Sequence, residues 1–442
     1  MHKEVYSYNE IGDLQKLVTT GNGQTADTQC FSYDAKRRLA QAFTPSSGDC
    51  ASAPSSTTLG GPAPYWHTWK YDTSGQSSEI TVGNRTEQVK HATTAGGTDT
   101  KTESFYAPPG TGKPHVLDQI KVTDAAGTRF YDYEYDHSGN TTKRPTTTGA
   151  TQDLFWNHDG TLEKVVEGTK TTSYIYDANG RRLLQKDSTG VTTAYLGDTE
   201  VKLAGGVKTA TRYYHFAGQT IGVRTAAGLR WLCSNNQGSA MVSIDAANTA
   251  TVDRRRYTPF GELRGTPPSW AGNQGFVGGT NDPTGLVHLG AREYDTATGR
   301  FVSVDPVMDQ GDPQQIHGYS YASNNPTTFS DPSGLMHAAD GGGGGGGGSD
   351  ATTTDQIDDG EITLPPDIQA MLDEAKRIQR MSLLDVILQA GGEILKELLG
   401  INDILNCFQK GDIVACISIV ANIIPWAKIF KLPKLVKAIE RA

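Results

Sequence analysis

Residues 174–187 read YIYDANGRRLLQKD, and the fold class can be predicted from the pattern in this stretch. Tyr176 ends a strand-like alternation and is followed by Asp177, whose carboxylate can accept a hydrogen bond from the backbone two residues on and so start a turn. Gly180 supplies the left-handed backbone conformation that such a turn needs. Arg181 and the residues after it begin the returning strand. The stretch therefore predicts a β-hairpin.

The same pattern recurs along the chain at irregular spacing. The further copies are FSYDAKRRL (31–39), WKYDTSGQS (69–77), YEYDHSGNTTKR (133–144) and REYDTATGRF (292–301), with degenerate copies VYSYNEIGDLQKLV (5–18) and LFWNHDGTLEKVV (154–166). One hairpin cannot bury its apolar face alone, so many hairpins must pack into a larger sheet. The irregular spacing favours a wide sheet with loops of variable length over a tight solenoid.

The composition agrees with a turn-rich β protein. The 442 residues include 51 Gly and 20 Pro, and only 36% are hydrophobic, which argues against a helical bundle. The net charge of −9 argues against a general nucleic-acid binder, which would carry a basic surface. The opening stretch MHKEVYSYNEIGDL has no signal-peptide-like apolar run. Because the repeat already runs at Tyr6, we expect the chain to be a piece of a longer protein.

Composition changes sharply after Leu335. Residues 341–348 are eight consecutive glycines, which predict a flexible linker, and an acidic, polar stretch follows. From residue 364 onward the apolar spacing becomes helical. The run 413–430 is apolar over 18 residues, at the lower limit for a membrane span. It predicts either a buried helical hairpin or a membrane-active segment, and basic residues follow it.

The chain has five cysteines and no CxxC pair, which disfavours zinc ribbons and thioredoxin-like sites. Cys30 and Cys50 flank a polar loop, and Cys407 and Cys416 flank a short turn. Each pair is either a disulfide, in an extracellular protein, or two buried thiols. Cys233 is left over and is expected in a core.

Two stretches near residue 300 carry a resemblance to a known family. GAREYDTATGRFVSVDP (290–306) and YSYASNNPTTFSDPSGL (319–335) resemble the Rhs repeat-associated core of the Rhs/YD-repeat proteins, which are polymorphic toxins and their relatives. The resemblance implies that the YD repeats form a large spiralling β-shell and that the core plugs one end. It also implies that the core is an aspartic autoprotease that cuts after DPxGL. Here the cut would fall between Leu335 and Met336.

The resemblance also implies a domain layout. We expect a YD-repeat β-shell at 1–190, the core with its autoprotease at 191–335, a linker at 336–363 and a helical segment at 364–442. NCFQKGDIVACISIVANIIPWAKIFK (406–431) resembles the region that precedes the toxin in such proteins. The catalytic module of the toxin would come after it and is expected to be missing from this chain.

Peptide hydrolysis by carboxylates needs two of them close together, so that sharing one proton drives their pKa values apart. VDPVMDQGDP (304–313) offers Asp305, Asp309 and Asp312, and Asp331 lies four residues before the expected cut. The resemblance points to Asp305 and Asp312 as the catalytic pair, with Asp305 and Asp331 as the competing assignment. Asp-Pro is also an ordinary turn sequence, so these residues have a purely structural interpretation too.

We expect Asp309 and two arginines of the same region to support the catalytic carboxylates. Arg292 and Arg300 are expected to orient or stabilise a carboxylate by bidentate contact. The histidines show neither an HExxH motif nor a zinc-deaminase pattern, so we expect no metal and no cofactor.

The resemblance therefore implies that the chain is the C-terminal part of an Rhs-type toxin, which encloses its own C-terminal segment as cargo and releases it by a single self-cleavage. We expect secretion or surface display, a role in interbacterial competition, an immunity protein for the missing toxin, membrane contact by 413–441 and no nucleic-acid partner. Two alternatives stay open. One is a non-catalytic YD-repeat scaffold for surface adhesion, and the other is a membrane-active effector formed by 364–442.

Overall fold

In the computed structural model, the described part of the chain is residues 2–21, 23–72, 83–107, 113–307, 317–335 and 338–339. Two antiparallel sheets account for most of it, and the mainly β fold class predicted from the repeats is confirmed. In both large sheets the strands follow one another in chain order. This is the arrangement that a run of consecutive hairpins must produce.

The first sheet has nine strands. They are β1 (His2–Tyr8), β2 (Leu14–Gly21), β3 (Asp27–Tyr33), β4 (Leu39–Phe43), β5 (Trp66–Tyr71), β6 (Arg85–Lys90), β7 (Thr100–Tyr106), β8 (Leu117–Asp124) and β9 (Gly127–Asp132).

The second sheet has thirteen strands. They are β10 (Glu134–Tyr135), β11 (Thr141–Pro145), β12 (Thr151–Trp156), β13 (Leu162–Glu167), β14 (Lys170–Tyr176), β15 (Arg182–Asp187), β16 (Thr192–Leu196), β17 (Thr199–Ala204), β18 (Val207–Phe216), β19 (Gln219–Thr225), β20 (Gly228–Ser234), β21 (Ala240–Asp245) and β22 (Val252–Arg254). This sheet runs without interruption past residue 190, the position at which we expect the shell to end and the core to begin.

The YD turns form as the residue types predict. Asp177 Oδ1 accepts hydrogen bonds from the backbone N–H of Asn179 at 2.8 Å and of Arg181 at 2.9 Å. Gly180 has φ +74°. The same pair of bonds, to the second and fourth residues on, occurs at Asp34 and Asn157. One side chain therefore fixes each turn through two backbone donors.

A β-bulge lies at the aromatic residue of the YD copies in the two large sheets. In the β14–β15 pair the register shifts between Ile175 and Tyr176. The Tyr176 hydroxyl then donates to the carbonyl oxygen of Leu162 at 2.9 Å, one hairpin earlier in the sheet. Tyr71 donates in the same way to Leu39 at 2.9 Å. In these copies the aromatic side chain thus satisfies a carbonyl of the repeat before it, which couples successive hairpins.

The described residues between 257 and 339 form a smaller unit packed against the large sheets. It contains a four-stranded sheet of β23 (Thr280–Asn281), β24 (Val287–Leu289), β25 (Arg292–Asp295) and β26 (Arg300–Phe301). Two short 3₁₀ helices, η1 (Phe276–Gly278) and η2 (Tyr321–Asn324), and the pair β27 (Phe329–Ser330) and β28 (Ala338–Ala339) complete it.

Both large sheets contribute apolar residues to the packing of this unit. Phe260 packs on Trp69 of β5, with ring centroids 5.3 Å apart. Leu286 and Val302 belong to one buried cluster with Leu154 of β12 and further residues of the second sheet. The unit therefore rests on strands from both sheets, and this contact fixes where its side chains lie.

Several predicted features fall outside the described residues. They are Asp309, Asp312, Met336, Cys407, Cys416 and the segment 340–442, which carries most of the predicted linker and the predicted helices. Within the described ranges, no helix is both long and apolar enough to cross a membrane.

Candidate active site

The DPSGL segment, residues 331–335, is held in a tight turn. Asp331 Oδ1 accepts from the Ser333 hydroxyl at 3.0 Å and from the backbone N–H of Leu335 at 3.2 Å. Gly334 has φ +67°, a conformation that residues with a Cβ adopt at a cost. The residue types of the DPSGL motif therefore build the bend that ends at Leu335.

This turn docks on the loop between β24 and β25. The backbone N–H of Ala291 donates to the Ser333 carbonyl at 2.9 Å. A Cβ at Gly334 would lie 2.2 Å from the carbonyl oxygen of Leu289, closer than any real contact. The close approach requires glycine at this position, and it brings the expected cut site onto the small sheet.

Arg292, the first residue of β25, is the centre of the site. Its Nη2 lies 2.8 Å from Asp305 Oδ2 and 3.1 Å from Asp331 Oδ2. Its Nε donates to the carbonyl oxygen of Gly334, and its Nη1 donates to that of Gly318 at 3.1 Å. One guanidinium therefore joins two of the predicted carboxylates to the backbone beside Leu335.

The Arg292 side chain is only 4% exposed and lies over the Phe301 ring, with the guanidinium carbon 3.6 Å from the ring centroid. Burial lowers its pKa, while Asp305 and Asp331 act in the opposite direction. The guanidinium is thus a fixed positive charge in a site that water reaches poorly.

The two carboxylates of the site lie in different surroundings. Burial raises the pKa of Asp305, against the opposing effect of Arg292. Its Oδ1 accepts from the backbone N–H of Val307 at 2.9 Å. Asp331 is more deeply buried and is fully engaged by the turn and by Arg292. Asp305 is therefore the better placed of the two to bind and release a proton.

Arg300, the other predicted supporting arginine, makes different contacts. Its Nη2 donates to the carbonyl oxygen of His115 at 2.6 Å, and its Nη1 donates to the Tyr106 hydroxyl at 3.2 Å. It thereby ties β26 to the first sheet. The structure thus brings Arg292, Asp305, Asp331 and Leu335 together. It places Arg300 in contact with Tyr106 and His115 instead.

A buried histidine anchors the start of the segment that leads to the site. His317 Nε2 lies 2.9 Å from Asn84 Oδ1, and His115 Nδ1 lies 3.1 Å from the same oxygen. Burial lowers the pKa of both imidazoles, that of His115 to about 4. Two neutral rings therefore share one amide oxygen. Sequence reasoning missed this contact, because Asn84 and His317 are 233 residues apart.

A second buried charge cluster joins the shell to the small sheet. Arg182 of β15 donates to Asp282 Oδ1 at 2.7 Å and to Glu293 Oε1 at 2.7 Å. His288 Nδ1 lies 2.8 Å from the same Glu293 oxygen. Sequence reasoning assigned Arg182 only to a returning strand. No local signal marks it, since its partners lie about a hundred residues away.

Cys30 and Cys50 form a disulfide with Cα atoms 5.4 Å apart, and Cys233 is a free cysteine. In the described part of the chain, no group of three or more His, Cys, Asp or Glu residues is placed to hold a metal ion.

Comparison with known proteins agrees with this architecture. A family model of the teneurin YD-shell matches residues 114–327. Teneurin-1 of Gallus gallus is 26% identical over 186 residues, which are 39% of this chain and 7% of that protein. The tRNA3(Ser)-specific nuclease WapA of Bacillus spizizenii is 28% identical over 240 residues, 50% of this chain and 10% of that protein.

Toxin subunit YenC1 of Yersinia entomophaga is 28% identical over 222 residues, 42% of this chain and 22% of that protein. A solved structure of TcdB2-TccC3 with Cdc42 superposes with a TM-score of 0.50 at 17% identity, over 75% of this chain and 18% of that one. At that identity the match shows the fold alone. The matched regions span less than a quarter of each of these proteins.

Consecutive YD hairpins, two long antiparallel sheets and a small unit packed against both define a YD-shell protein. The repeats, the 290–335 region and these matches support a relationship to the Rhs/YD-repeat proteins, and toxins are among the relatives that the chain matches.

Proposed function

We propose that this chain is the C-terminal part of an Rhs-type toxin, which encloses the segment after Leu335 and frees it by one self-cleavage between Leu335 and Met336. One observation carries the proposal. Arg292 binds Asp305, Asp331 and the carbonyl oxygen of Gly334, so carboxylates and the expected scissile region share one guanidinium. The similarity to toxin subunit YenC1 and to the nuclease WapA supports a toxin context.

In the proposed reaction, one carboxylate removes a proton from water, and the hydroxide attacks the carbonyl carbon of Leu335. A carboxylic acid protonates the nitrogen of Met336 as the C–N bond breaks. The products are a carboxylate at Leu335 and an amine at Met336, with one water consumed. Asp305 fits the proton-holding role because burial raises its pKa.

We assign Asp312 as the partner of Asp305 and give Asp331 a positioning role. The assignment rests on the contacts of Asp331, whose oxygens bind the N–H of Leu335, the Ser333 hydroxyl and Arg292. A carboxylate with these bonds holds the turn in place and has little freedom to activate water. If Asp305 and Asp331 were instead the catalytic pair, Asp305→Asn and Asp331→Asn would lose cleavage to the same extent.

The cargo in this proposal is the segment from Met336 onward. Release into an oxidising, extracellular setting agrees with the Cys30–Cys50 disulfide. The same proposal includes membrane contact by 413–441, an immunity protein and a role in interbacterial competition. Each of these depends on the segment that would be released.

The experiment follows cleavage of purified full-length chain by mass spectrometry over time, for wild type, Asp305→Asn, Asp312→Asn and Asp331→Asn. Asp295→Asn is the matched control, because Asp295 is also buried in β25 and paired with an arginine, Arg144, at 2.8 Å. Thermal unfolding of each variant separates loss of chemistry from loss of fold.

We expect no cut chain with Asp305→Asn or Asp312→Asn, slow cutting with Asp331→Asn and wild-type cutting with the control. Uncut chain in every sample, with normal thermal unfolding, would contradict self-cleavage.

A second candidate is a non-catalytic YD-repeat scaffold. The similarity to Teneurin-1 favours it. So do the ion pairs of Asp305 and Asp331 with Arg292, because such pairs also occur at purely structural sites. On this account the wild-type chain stays intact, and Asp305→Asn changes stability alone.

A further inference from the structure

Two arginines at the end of the second sheet face the start of the first sheet. Arg254 ends β22, and its guanidinium lies against Gly21 at the end of β2, where a Cβ would be 3.0 Å from Nη2. Arg256 Nε lies 3.5 Å from Asp27 Oδ2 of β3. The place where the two sheets meet therefore concentrates positive charge.

The carboxylates nearby do not neutralise this charge. Asp27 is held by Arg264 through two bonds, of 2.9 and 3.1 Å. Asp253, the neighbour of Arg254, pairs with Arg230. Within the described residues, Arg254 forms no ion pair, and its Nη1 is buried without an acceptor. Arg254 as a whole is half-buried, and a partly buried guanidinium without a counter-charge is still costly.

Two further charged residues, Arg255 and Glu4, belong to this environment. Arg255 is only 6% exposed, its Nη2 donates to the Gln274 carbonyl oxygen at 2.9 Å, and its Nε finds no acceptor in the described part of the chain. Glu4 of β1 is the other carboxylate here, and the Tyr6 hydroxyl and His2 contact its oxygens. Asp253 and Arg230 cancel each other, and the four arginines Arg254, Arg255, Arg256 and Arg264 against the two carboxylates Asp27 and Glu4 leave two positive charges in excess.

The arginines also border empty space on two sides. A cavity of about 80 Å³ is lined by Arg254, Arg255 and Arg256 together with residues of β1, β2 and β3. A wider cleft of about 540 Å³ is lined by Arg254, Arg256, Gln24 and Pro268, and also by Asp253, whose carboxylate is paired with Arg230. Arg254, Arg256 and Gln24 line both spaces, so an ion entering the cleft reaches the guanidiniums directly.

We propose that Arg254 and Arg256 form a binding site for a small divalent oxyanion of the phosphate type, either free phosphate or a phosphate monoester. A phosphate carries close to two negative charges at neutral pH, which matches the excess positive charge. Its oxygens accept the fork of N–H donors that a guanidinium presents. A water molecule would satisfy one buried N–H and leave the charge uncompensated. The site does not depend on self-cleavage, since Arg254 is no part of the Arg292 cluster.

The test measures thermal unfolding and calorimetric binding of the full-length chain at constant ionic strength, with inorganic phosphate, glycerol 2-phosphate or acetate added in place of chloride. We expect saturable binding and a rise in melting temperature with both phosphates, and at least tenfold weaker binding with acetate. Binding of the free ion alone assigns the site to inorganic phosphate, and binding of both extends it to monoesters. Acetate binding as tightly as phosphate would contradict the phosphate assignment.

Three variants locate the site. Arg254→Gln is expected to weaken phosphate binding at least tenfold while unfolding no earlier than wild type in chloride, because it removes repulsion between arginines. Gly21→Ala keeps every charge but displaces the Arg254 guanidinium, and we expect several-fold weaker binding. Arg212→Gln, on the exposed face of β18, is the control and keeps wild-type binding.

Absence of saturable phosphate binding by wild type, or unchanged binding by Arg254→Gln, would overturn the proposal. So would a marked destabilisation of Arg254→Gln in chloride, since that result assigns Arg254 a structural role.

Discussion

Arg182 Nη2 lies 2.7 Å from Glu293 Oε1, and both side chains are almost fully buried. This ion pair joins a YD-repeat strand, β15, to the middle of the small sheet, in β25. Asp282 binds the other end of the guanidinium at 2.7 Å. The contact therefore fixes the unit that carries Arg292 against the shell.

Replacing Arg182 tests how much this contact contributes. Arg182→Gln leaves Asp282 and Glu293 buried without their counter-charge, so we expect the free energy of unfolding to fall by roughly 3–5 kcal/mol. Denaturant titration measures the change. The neighbouring, exposed Arg181 provides the control, and Arg181→Gln should alter stability by less than about 0.5 kcal/mol. Equal effects at the two positions would contradict the buried-link interpretation.

Gly334 tests the geometry of the cut site. Gly334→Ala forces a Cβ to within 2.2 Å of the Leu289 carbonyl oxygen in a left-handed conformation, so the DPSGL turn must move away from Arg292. We expect self-cleavage at least tenfold slower than in wild type and a loss of roughly 1–3 kcal/mol in stability.

The control for this substitution is Gly180→Ala. Gly180 has a similar φ of +74°, with nothing within 4 Å of an added Cβ. It should lose roughly 1 kcal/mol and cleave at the wild-type rate. Normal cleavage by Gly334→Ala would show that the turn does not position the bond.

The burial of His67 predicts that the stability of the protein depends on pH. His67 is buried between Tyr65 and Trp69, and burial lowers its pKa to about 3. The unfolded chain, with an ordinary histidine pKa near 6.5, binds the proton more readily below that pH. Stability therefore falls as pH drops from about 6.5 towards 3, by up to about 1.4 kcal/mol per pH unit from this group.

His67→Phe keeps an aromatic ring at this position and removes the titration. We expect it to unfold like wild type, within about 1.5 kcal/mol, at pH 8, and to be the more stable chain at pH 4. Urea titrations at the two pH values give the comparison, and His158→Phe, on an exposed turn, is the control. A constant difference between wild type and His67→Phe at both pH values would contradict the assignment.

The hairpins could be predicted from sequence because their determinants are local. Asp177 and Gly180 lie within one turn, and the turn forms with the expected hydrogen bonds. The hydroxyl bond from Tyr176 to Leu162 was missed, although it repeats, because its acceptor is a carbonyl with no sequence signal. This hydrogen bond depends on the β-bulge at Tyr176, where the register of the β14–β15 pair shifts.

The site was partly predictable. Arg292, Asp305 and Asp331 were candidates from the sequence, and the structure places an oxygen of each carboxylate within 3.1 Å of Arg292 Nη2. Arg300 was expected to orient or stabilise a carboxylate because it lies in the same segment as Arg292, and in the structure it donates to the carbonyl oxygen of His115 and to the Tyr106 hydroxyl. Spacing alone does not tell which face of a short strand such as β26 a side chain takes.

The most direct test of the central claim is the identity of the chain ends in purified wild-type protein. Mass spectrometry of the intact sample should show two species, residues 1–335 and 336–442, whose masses sum to that of the uncut chain plus one water. Tandem mass spectrometry should place a free carboxylate on Leu335 and a free amine on Met336. A single uncut species, or a cut at any other bond, would contradict self-cleavage after Leu335.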